Sequence, residues 1–449
     1  MKKSKGISNQ MDMLNGSIFD KILLFALPLA ISSILQQLFN SVDVAVVGRF
    51  ASSEALAAVG SNSSVISLLI NLFVGISVGA NVVIANYIGQ GKTEKIQDAV
   101  HTVMIVSLIS GVFLLVLGLM IARPILEIMG TPENVIDLAV LYLHIYFLGM
   151  PFLMIYNFGA AVLRSKGDTK RPLYCLIISG VINACLNLLF VIVFKLSVAG
   201  VAIATVIADG VSAVLIIYFL MNEEETIRLR LNKLKIKKSE LIKVIKIGVP
   251  AGLQGVVFSV SNVCIQTAIN SFGSDAVAGS ATGLNFEYFT ISAFVQAAVT
   301  FTSQNYGARN FKRCKKIFVY SMISSVVICG LMSAIFVVWR DFFAEIYTTD
   351  KAVLEYASIR MVHVLLFECL ASSYEIGGAA LRGLGYSMTP AVLTVLGSCV
   401  FRLIWIYTVF NKFRSFEMLM NVYPVSWIIT GIAVLIAYAI VRKKLFKET

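Results

Sequence analysis

The sequence predicts an all-α polytopic membrane protein, with twelve transmembrane helices in two parallel-repeat six-helix lobes around a central cavity. Composition is the first reason. Hydrophobic residues make up 58% of the 449 residues and charged residues 14%, with a mean hydropathy of +0.85, which lies outside the balance of soluble domains. The second reason is an internal repeat, because a shift of 218 positions pairs Gly89 with Gly307 and a shift of 222 pairs Pro28 with Pro250. Matched helix breakers in two apolar halves indicate a duplicated membrane fold.

Apolar runs of about 20 residues recur along the whole chain, and each is long enough as a helix to cross a hydrocarbon core of about 30 Å. Twelve spans are predicted, at 22–47, 55–82, 98–121, 135–158, 173–194, 199–221, 242–270, 278–302, 316–339, 353–379, 389–410 and 418–441. Because each half has an even number of spans, both halves enter the membrane from the same side. The repeats should therefore be related by a pseudo-twofold axis along the membrane normal.

Basic residues are concentrated on alternate loops, and most of the 37 Lys and Arg fall on one side. The positive-inside rule places that side, with both termini, in the cytoplasm of a cell-membrane protein. The predicted layout is a cytoplasmic tail (1–21), an N-terminal lobe (22–221), a cytoplasmic linker (222–241), a C-terminal lobe (242–441) and a cytoplasmic tail (442–449). The first span is expected to be retained, since no cleavage site follows it. Alternating Leu and Ile in the linker predict a short amphipathic helix or strand at the inner membrane surface.

The net charge of +12 would suggest nucleic acid in a soluble protein. Here the loop positions of the basic residues favour topology setting over nucleic-acid or anionic-lipid binding, and no nucleic-acid partner is expected. Inside the spans each ionised group costs at least a few kcal/mol, so such groups need a partner, water or a function. The ionisable residues identified there are Asp43, Asp209, Glu287, Glu368, Glu375 and Arg402.

Glycine and proline positions predict how the helices pack and bend. Gly75 and Gly79 form a small-xxx-small pair in the second span, which favours close packing on another helix. Pro28 and Pro250 occupy matching positions in the two halves, where each removes a helical hydrogen bond and favours a kink. We therefore predict a structural or gating role for both prolines.

Several motifs carry a family resemblance. They are ALPLAISSILQQLFNSVDVAVVGRFASSEALAAVG (26–60), ANYIGQGK (85–92), LRSKGDTKRP (163–172), GVAIATVIADG (200–210), QNYGARN (304–310) and LRGLGYSMTP (381–390). In this order and spacing, the chain resembles the multidrug and toxic compound extrusion (MATE) family over essentially its whole length. The resemblance implies a secondary antiporter that exports amphipathic, cationic organic compounds in exchange for protons or sodium ions by rocker-switch alternating access.

The resemblance points to an ion-coupling site in the N-terminal lobe. Asp43 matches the family's first-helix aspartate, and Asn183 matches an asparagine that works with it. Asn187 stands where the family often has an acidic residue. Asn40 lies one turn before Asp43 on the same face. These four residues predict a polar pocket, and its lone carboxylate favours protons over sodium ions. The alternative is that Asp43 caps a helix end near the outer interface.

In the C-terminal lobe, Glu287, Glu368 and Arg402 are predicted at similar depth, close to the bilayer midplane. A Glu368–Arg402 ion pair would make Glu368 structural and leave Glu287 as the freer anion for a cationic substrate. The alternative is that Glu368 also binds the substrate. The acidic residue that resembling proteins carry in the seventh helix is absent from this seventh span.

A cavity for hydrophobic cations needs aromatic walls and one or two anionic groups. Phe286 and Tyr288 flank Glu287, and Tyr156 is a candidate from the other lobe; packing or lipid contact is the alternative for each. Asp209 is expected either to face the cavity or to hydrogen-bond a neighbouring helix. The expected partners are therefore small amphipathic cations, H⁺ or Na⁺ and the lipid bilayer, and the protein is expected to act as a monomer.

Two other functions were weighed against the antiporter. A lipid-linked saccharide flippase should line its cavity with several midplane Arg or Lys, and Arg402 is the one identified. A membrane-embedded enzyme needs paired intramembrane aspartates or a His-Glu metal motif, and neither is present. The histidines do not cluster at metal-ligand spacing, so no metal or organic cofactor is expected.

Overall fold

The computed structural model describes residues 11–287 and 291–445, and these form helices, turns and connections without a strand. The helices of the first half are α1 (Phe19–Phe50), α2 (Ser53–Gln90), α3 (Thr93–Ile128), α4 (Glu133–Leu148), α5 (Met150–Ser165), α6 (Lys170–Leu188) and α7 (Ser197–Met221). A π-helical turn, Leu189–Val193, continues α6.

The second half contains more breaks than the first. Its helices are α8 (Lys238–Asn270), α9 (Ser274–Leu284), α10 (Ile291–Gly307), α11 (Phe311–Val338), α12 (Arg340–Glu345), α13 (Lys351–His363), α14 (Ser372–Gly383), α15 (Met388–Thr394), α16 (Phe401–Trp405), α17 (Phe416–Met420) and α18 (Val422–Leu445). A 3₁₀ segment, Leu365–Ala371, separates α13 from α14, and π-helical turns join α15 to α16 and follow α16.

The polytopic membrane class is confirmed, although the count of twelve spans is not. Within the described ranges, nine helical segments are long and apolar enough to cross a bilayer, and the pair α4 and α5, bent by 48°, would make a tenth. Pro151 lies in the first turn of α5, at this bend. The predicted spans 278–302 and 353–379 are interrupted, the first by the turn after α9 and the second by Leu365–Ala371.

The described residues form two compact units. The first contains Leu27–Gly252, and the second contains Met13–Ala26 and the residues from Leu253 onward. Both boundaries fall inside long helices, beside Pro28 in α1 and Pro250 in α8. Each helix continues through its proline without interruption. The gating role predicted for the two prolines stays a prediction.

Within the first unit, α2 and the first half of α8 cross in backbone contact. A Cβ atom on Gly75 would lie 2.1 Å from the backbone nitrogen of Gly252, and one on Gly79 would lie 2.4 Å from the Val244 carbonyl oxygen. Neither position has room for a side chain. Glycines at this spacing let two helices approach until their backbones touch. Gly75 and Gly79 therefore form the predicted packing motif, and α8 is its partner helix.

The internal repeat is also visible in the backbone of two turns. Gly167 and Gly385, 218 positions apart, both adopt left-handed φ angles of 97° and 89°, and Gly91 and Arg309 share φ values of 67° and 57°. A non-glycine residue at positive φ is uncommon and strained. Arg309 thus adopts the same left-handed backbone conformation as Gly91, its counterpart in the first half, although it has a side chain that disfavours this conformation.

A buried charge cluster joins the loop between α5 and α6 to the end of α7. The Lys166 Nζ donates to Glu223 Oε2 at 2.7 Å, and Arg171 also donates to Glu223. Although burial acts to raise it, these hydrogen bonds from Lys166 and Arg171 lower the pKa of the Glu223 carboxyl below its usual value. The cluster therefore stabilises the charged form of Glu223.

The segment that follows Glu223 is not the regular amphipathic helix or strand expected of the linker. It contains one 3₁₀ turn, Leu231–Lys233. Its apolar Ile227 and Leu229 are buried in the core of the first unit, and the Arg230 N–H donates to the buried His101 Nε2 at 3.1 Å. The linker backbone is irregular here. It is stabilised by the buried Ile227 and Leu229 side chains and by the hydrogen bond to His101, and not by the repeating hydrogen bonds of a helix.

Candidate functional site

A chain of hydrogen bonds in the first unit links α1, α6 and α7 around Asp43. The Asn187 amide donates to Asp43 Oδ1, and it also donates to Asn183 Oδ1 at 3.1 Å. The Asn183 Nδ2 in turn donates to Thr205 Oγ1 at 3.3 Å. Asn183 and Asn187 face the same way because residues four apart lie on one side of a helix. The Asn187 Oδ1 is buried and receives no hydrogen bond within the described part of the chain.

Asp209 lies near this cluster, so Asp43 is not the lone carboxylate that the sequence predicts. Asp209 lies four residues after Thr205 on α7, so both side chains share one helix face, and its charge interacts with that of Asp43. Tyr142 and Tyr146 of α4, whose rings stack at 5.9 Å, lie near both acids. Among the described residues, neither Asp43 nor Asp209 forms an ion pair.

The structure brings together Asp43, Asn183 and Asn187, as the sequence predicts, while their role in coupling stays a prediction. Asn40 does not join them, because its side chain is exposed and makes no hydrogen bond with the cluster in the described part of the chain. Thr205 was missed by the sequence reasoning. Its signal was present, since a hydroxyl one turn before an intramembrane Asp209 shares that residue's face.

In the second unit, Glu287 forms a buried bidentate ion pair with Arg360 of α13. The Arg360 Nε lies 2.7 Å from Glu287 Oε1 and its Nη2 lies 3.0 Å from Oε2, while Nη1 donates to Ser280 Oγ at 2.8 Å. The side chains are 0% and 4% exposed for Glu287 and Arg360. The expectation that Glu287 is the freer anion is therefore wrong. Arg360 was overlooked inside the predicted span 353–379.

Arg402 has a different environment from the ion pair expected for it. Its guanidinium lies 4.6 Å above the ring of Tyr423 and 5.5 Å from that of Phe258, and its Nε donates to Ser426 Oγ at 3.2 Å. Its Nη2 is buried without an acceptor. Across the described ranges Arg402 forms no pair with Glu368, which is buried in Leu365–Ala371 and has its own partner.

Arg402 is held by aromatic faces and a hydroxyl in place of a carboxylate. The ring of Tyr423 is shared, because the Arg360 guanidinium also lies 5.4 Å from its centroid. Cation–π contacts of this kind stabilise a buried cation without neutralising it. Among the described residues, the Arg402 guanidinium therefore has no carboxylate partner and keeps one N–H group without an acceptor.

The MatE family model matches the chain twice, at residues 28–189 and 250–408. The chain belongs to the MatE family. The two matches begin at Pro28 and Pro250, so the family model finds the same duplication as the sequence comparison of the two halves. The resemblance drawn from the motifs is confirmed, and the chain is a multi-span membrane protein of this family.

Proteins similar to this MatE chain are named as transporters or multidrug resistance proteins. It is 30% identical over 398 residues to the probable multidrug resistance protein YoeA of Bacillus subtilis, with 84% of each chain covered. It is 24% identical over 324 residues to an FAD transporter of Shewanella oneidensis, with 71% of each covered. An outward-facing multidrug resistance MATE family transporter of the MOP superfamily has a TM-score of 0.91 at 21% identity, with full coverage of both chains. That likeness establishes the shared fold.

Two aromatic residues predicted to line a substrate cavity are instead in packing roles in this MatE chain. Phe286 is buried against Phe336 and Phe343, with ring centroids 5.2 and 5.7 Å away. The Tyr156 hydroxyl donates to the Pro172 carbonyl at 3.2 Å. Tyr288 lies outside the described residues.

No group of three or more His, Cys, Asp or Glu side chains suited to a metal ion occurs among the described residues. The described polar sites of this MatE chain are therefore of two kinds. The first unit carries two carboxylates with amide and hydroxyl neighbours. The second unit carries a neutralised acid and an arginine on an aromatic face.

Proposed function

We propose that this MatE protein is a multidrug efflux antiporter of the cell membrane, with both termini in the cytoplasm. It exports amphipathic organic compounds, mainly cations, in exchange for protons by rocker-switch alternating access. One observation carries the coupling assignment: Asp43 and Asp209 share a polar cluster, and neither has a cationic partner in the described structure. The resistance name of the 30% identical relative supports multidrug export, and the twofold family match supports a two-lobe mechanism.

Two carboxylates in one cluster favour proton exchange on electrostatic grounds. Like charges close together disfavour double ionisation, so one site readily takes up a proton. An amphipathic cation would be attracted by the same negative charge. Proton and drug would then compete for Asp43 and Asp209, and binding of one would release the other, which is the requirement for antiport.

The hydrogen-bond directions favour a proton over a sodium ion. Hard cations are bound by several oxygens that point at the ion. Asn187 instead directs its N–H to Asp43, and the Asn183 oxygen is already used as an acceptor. Of the two amides, only Asn187 has an oxygen without a donor in the described structure, so a Na⁺ ion at Asp43 would find few oxygens directed at it unless the Asn183–Asn187 hydrogen bond broke.

The test uses purified protein in proteoliposomes, with rhodamine 6G as the cationic probe and imposed gradients of pH or Na⁺. We expect pH-driven dye transport, loss of that transport in Asp43→Asn, and weaker dye binding in Asp209→Asn by about 5- to 150-fold. Asp137→Asn is the matched control, because Asp137 is an exposed surface partner of Arg123. Transport that follows Na⁺ with the pH gradient collapsed would overturn the proton assignment, and normal pH-driven transport in Asp43→Asn would overturn the site.

Export of planar organic anions is a second candidate function, favoured by Arg402. Its buried Nη2 has no acceptor among the described residues, so an anionic group that reached it could accept a hydrogen bond from the guanidinium. FAD is the probe for this function, because the Shewanella relative is named as an FAD transporter. If this function is correct, the same proteoliposomes transport FAD, and Arg402→Gln reduces FAD transport more than dye transport. Absence of FAD transport would exclude it.

A further inference from the structure

A cavity of about 410 Å³ lies in the second unit, between the chain that leads into α1 and the first turns of α11. Its lining includes Gly16, Ser17 and Phe19 on one side and Lys312, Lys316 and Tyr320 on the other. This volume is within the range of small-molecule sites, about 300–1,000 Å³. The cavity is remote in sequence from every residue of the two clusters described above.

Arg313 holds the walls of this cavity together. Its guanidinium donates to three carbonyl oxygens of the preceding chain, at 3.1 Å to Met13, 2.9 Å to Gly16 and 2.9 Å to Asn15. Gly16 adopts a left-handed φ of 70°, which lets the chain turn across the start of α11. These hydrogen bonds fix the chain that forms one wall of the cavity against the start of α11.

The charge of the cavity is positive. Lys312 and Lys316 are one turn apart on the same face of α11, and neither forms an ion pair within the described ranges. The positive end of the helix dipole of α11 lies at the same place, with Asn310 as its cap. Two ammonium groups and a guanidinium thus surround a cavity whose lining contains no acidic side chain.

The remaining wall is aromatic and exposed. Phe19 and Tyr320 meet edge to face with centroids 6.2 Å apart, and they are 42% and 38% exposed. Phe19 begins α1 and Tyr320 lies in the third turn of α11. Both helices continue as apolar spans, and aromatic and basic residues at the ends of such spans are where a membrane protein meets lipid head groups. A free inorganic anion would gain nothing from these rings, whereas a glycerol backbone with acyl chains would pack against them.

We propose that this cavity binds the phosphate of an anionic phospholipid of the cytoplasmic leaflet. Lys312 and Lys316 pair with the phosphate, and Phe19 and Tyr320 contact the glycerol and the start of the acyl chains. A lipid bound here bridges the start of α1 and the start of α11. Its binding is independent of the coupling cluster and of the transported compound.

The experiment measures phospholipid binding to the full-length protein in neutral detergent by native mass spectrometry, with phosphatidylglycerol and phosphatidylcholine as probes. Each basic residue near an anionic surface contributes an affinity factor of about five. Lys312→Gln with Lys316→Gln should therefore lower phosphatidylglycerol affinity by roughly 25-fold and leave phosphatidylcholine unchanged. The matched control is Lys315→Gln with Lys351→Gln, which removes the same charge from exposed positions outside the cavity.

Two further arms keep the outcome decisive. Replacing both lysines by arginine keeps the charge and should keep the affinity, so a binding loss caused by misfolding is distinguished from one caused by charge. Added inorganic phosphate tests the source of the anion and should compete poorly. Undiminished phosphatidylglycerol binding in the double glutamine variant, or equal competition by inorganic phosphate, would overturn the proposal.

Discussion

Replacement of Glu287 by glutamine should destabilise the second unit, because Glu287 and Arg360 neutralise each other in the interior. Glutamine keeps the shape of the side chain but removes its charge, so the Arg360 guanidinium loses its bidentate acceptor while remaining 4% exposed. From the sequence alone, Glu287 was expected to be the freer anion that recognises a cationic substrate. The structure instead predicts that Glu287 stabilises the second unit through its ion pair with Arg360.

The magnitude follows from the geometry of the pair. Removing one partner of a buried, hydrogen-bonded ion pair costs about 3–5 kcal/mol, because an uncompensated charge is left behind. For a unit of roughly 200 residues, 1 kcal/mol corresponds to about 2–4 °C in melting temperature, so a decrease of about 10 °C is expected. The double substitution Glu287→Gln with Arg360→Met removes both charges. It should be more stable than Glu287→Gln alone, since no buried charge remains unpaired.

The assay is thermal unfolding of the purified protein in detergent, followed by the fraction that remains monodisperse after heating. Glu355→Gln is the control, because Glu355 is an exposed acid on the same helix as Arg360. A melting temperature of Glu287→Gln within about 2 °C of the unmodified protein, which is less than the effect of 1 kcal/mol, would refute the reasoning. So would a double variant less stable than either single variant.

Two other predictions concern the first unit. Gly79→Leu should prevent the close crossing of α2 and α8, because even its Cβ would lie 2.4 Å from the Val244 carbonyl; size-exclusion profiles should show aggregation, while Gly210→Ala, with open space around it, should be unchanged. A monodisperse Gly79→Leu protein of normal melting temperature would contradict this. The pKa of Glu223 is lower in the folded protein than its value of about 4.5 in the unfolded chain. Its pairing with Lys166 and Arg171 therefore stabilises the fold fully at pH values above 4.5. This stabilisation is lost as the pH falls through the pKa of Glu223 in the folded protein. Melting temperatures between pH 6 and pH 3 should therefore fall more steeply for the unmodified protein than for Glu223→Gln, and parallel curves would show that the cluster contributes nothing.

Several features of the site could be predicted because they depend on local spacing. Asn183 and Asn187 lie four residues apart, so one helix face had to carry both, and Gly75 and Gly79 had to leave a groove on α2. The prediction that Asn40 joins Asp43 used the same rule and failed. Helix periodicity allows two residues to share a face, but the packing of neighbouring helices decides what that face contacts.

The sequence by itself determined the membrane class, the duplication and the family, because hydropathy and repeated breakers are properties of the chain that need no folding to be read. The tertiary structure alone decided which charges meet. Glu287 forms an ion pair with Arg360, 73 residues away, and is not the freer anion expected for a substrate. The Arg402 guanidinium contacts the ring of Tyr423 and not the carboxylate of Glu368. An ion pair between residues far apart in sequence forms only when helix packing brings the two charged groups to within about 3 Å of each other. Residues predicted at a similar depth in the bilayer do not necessarily meet.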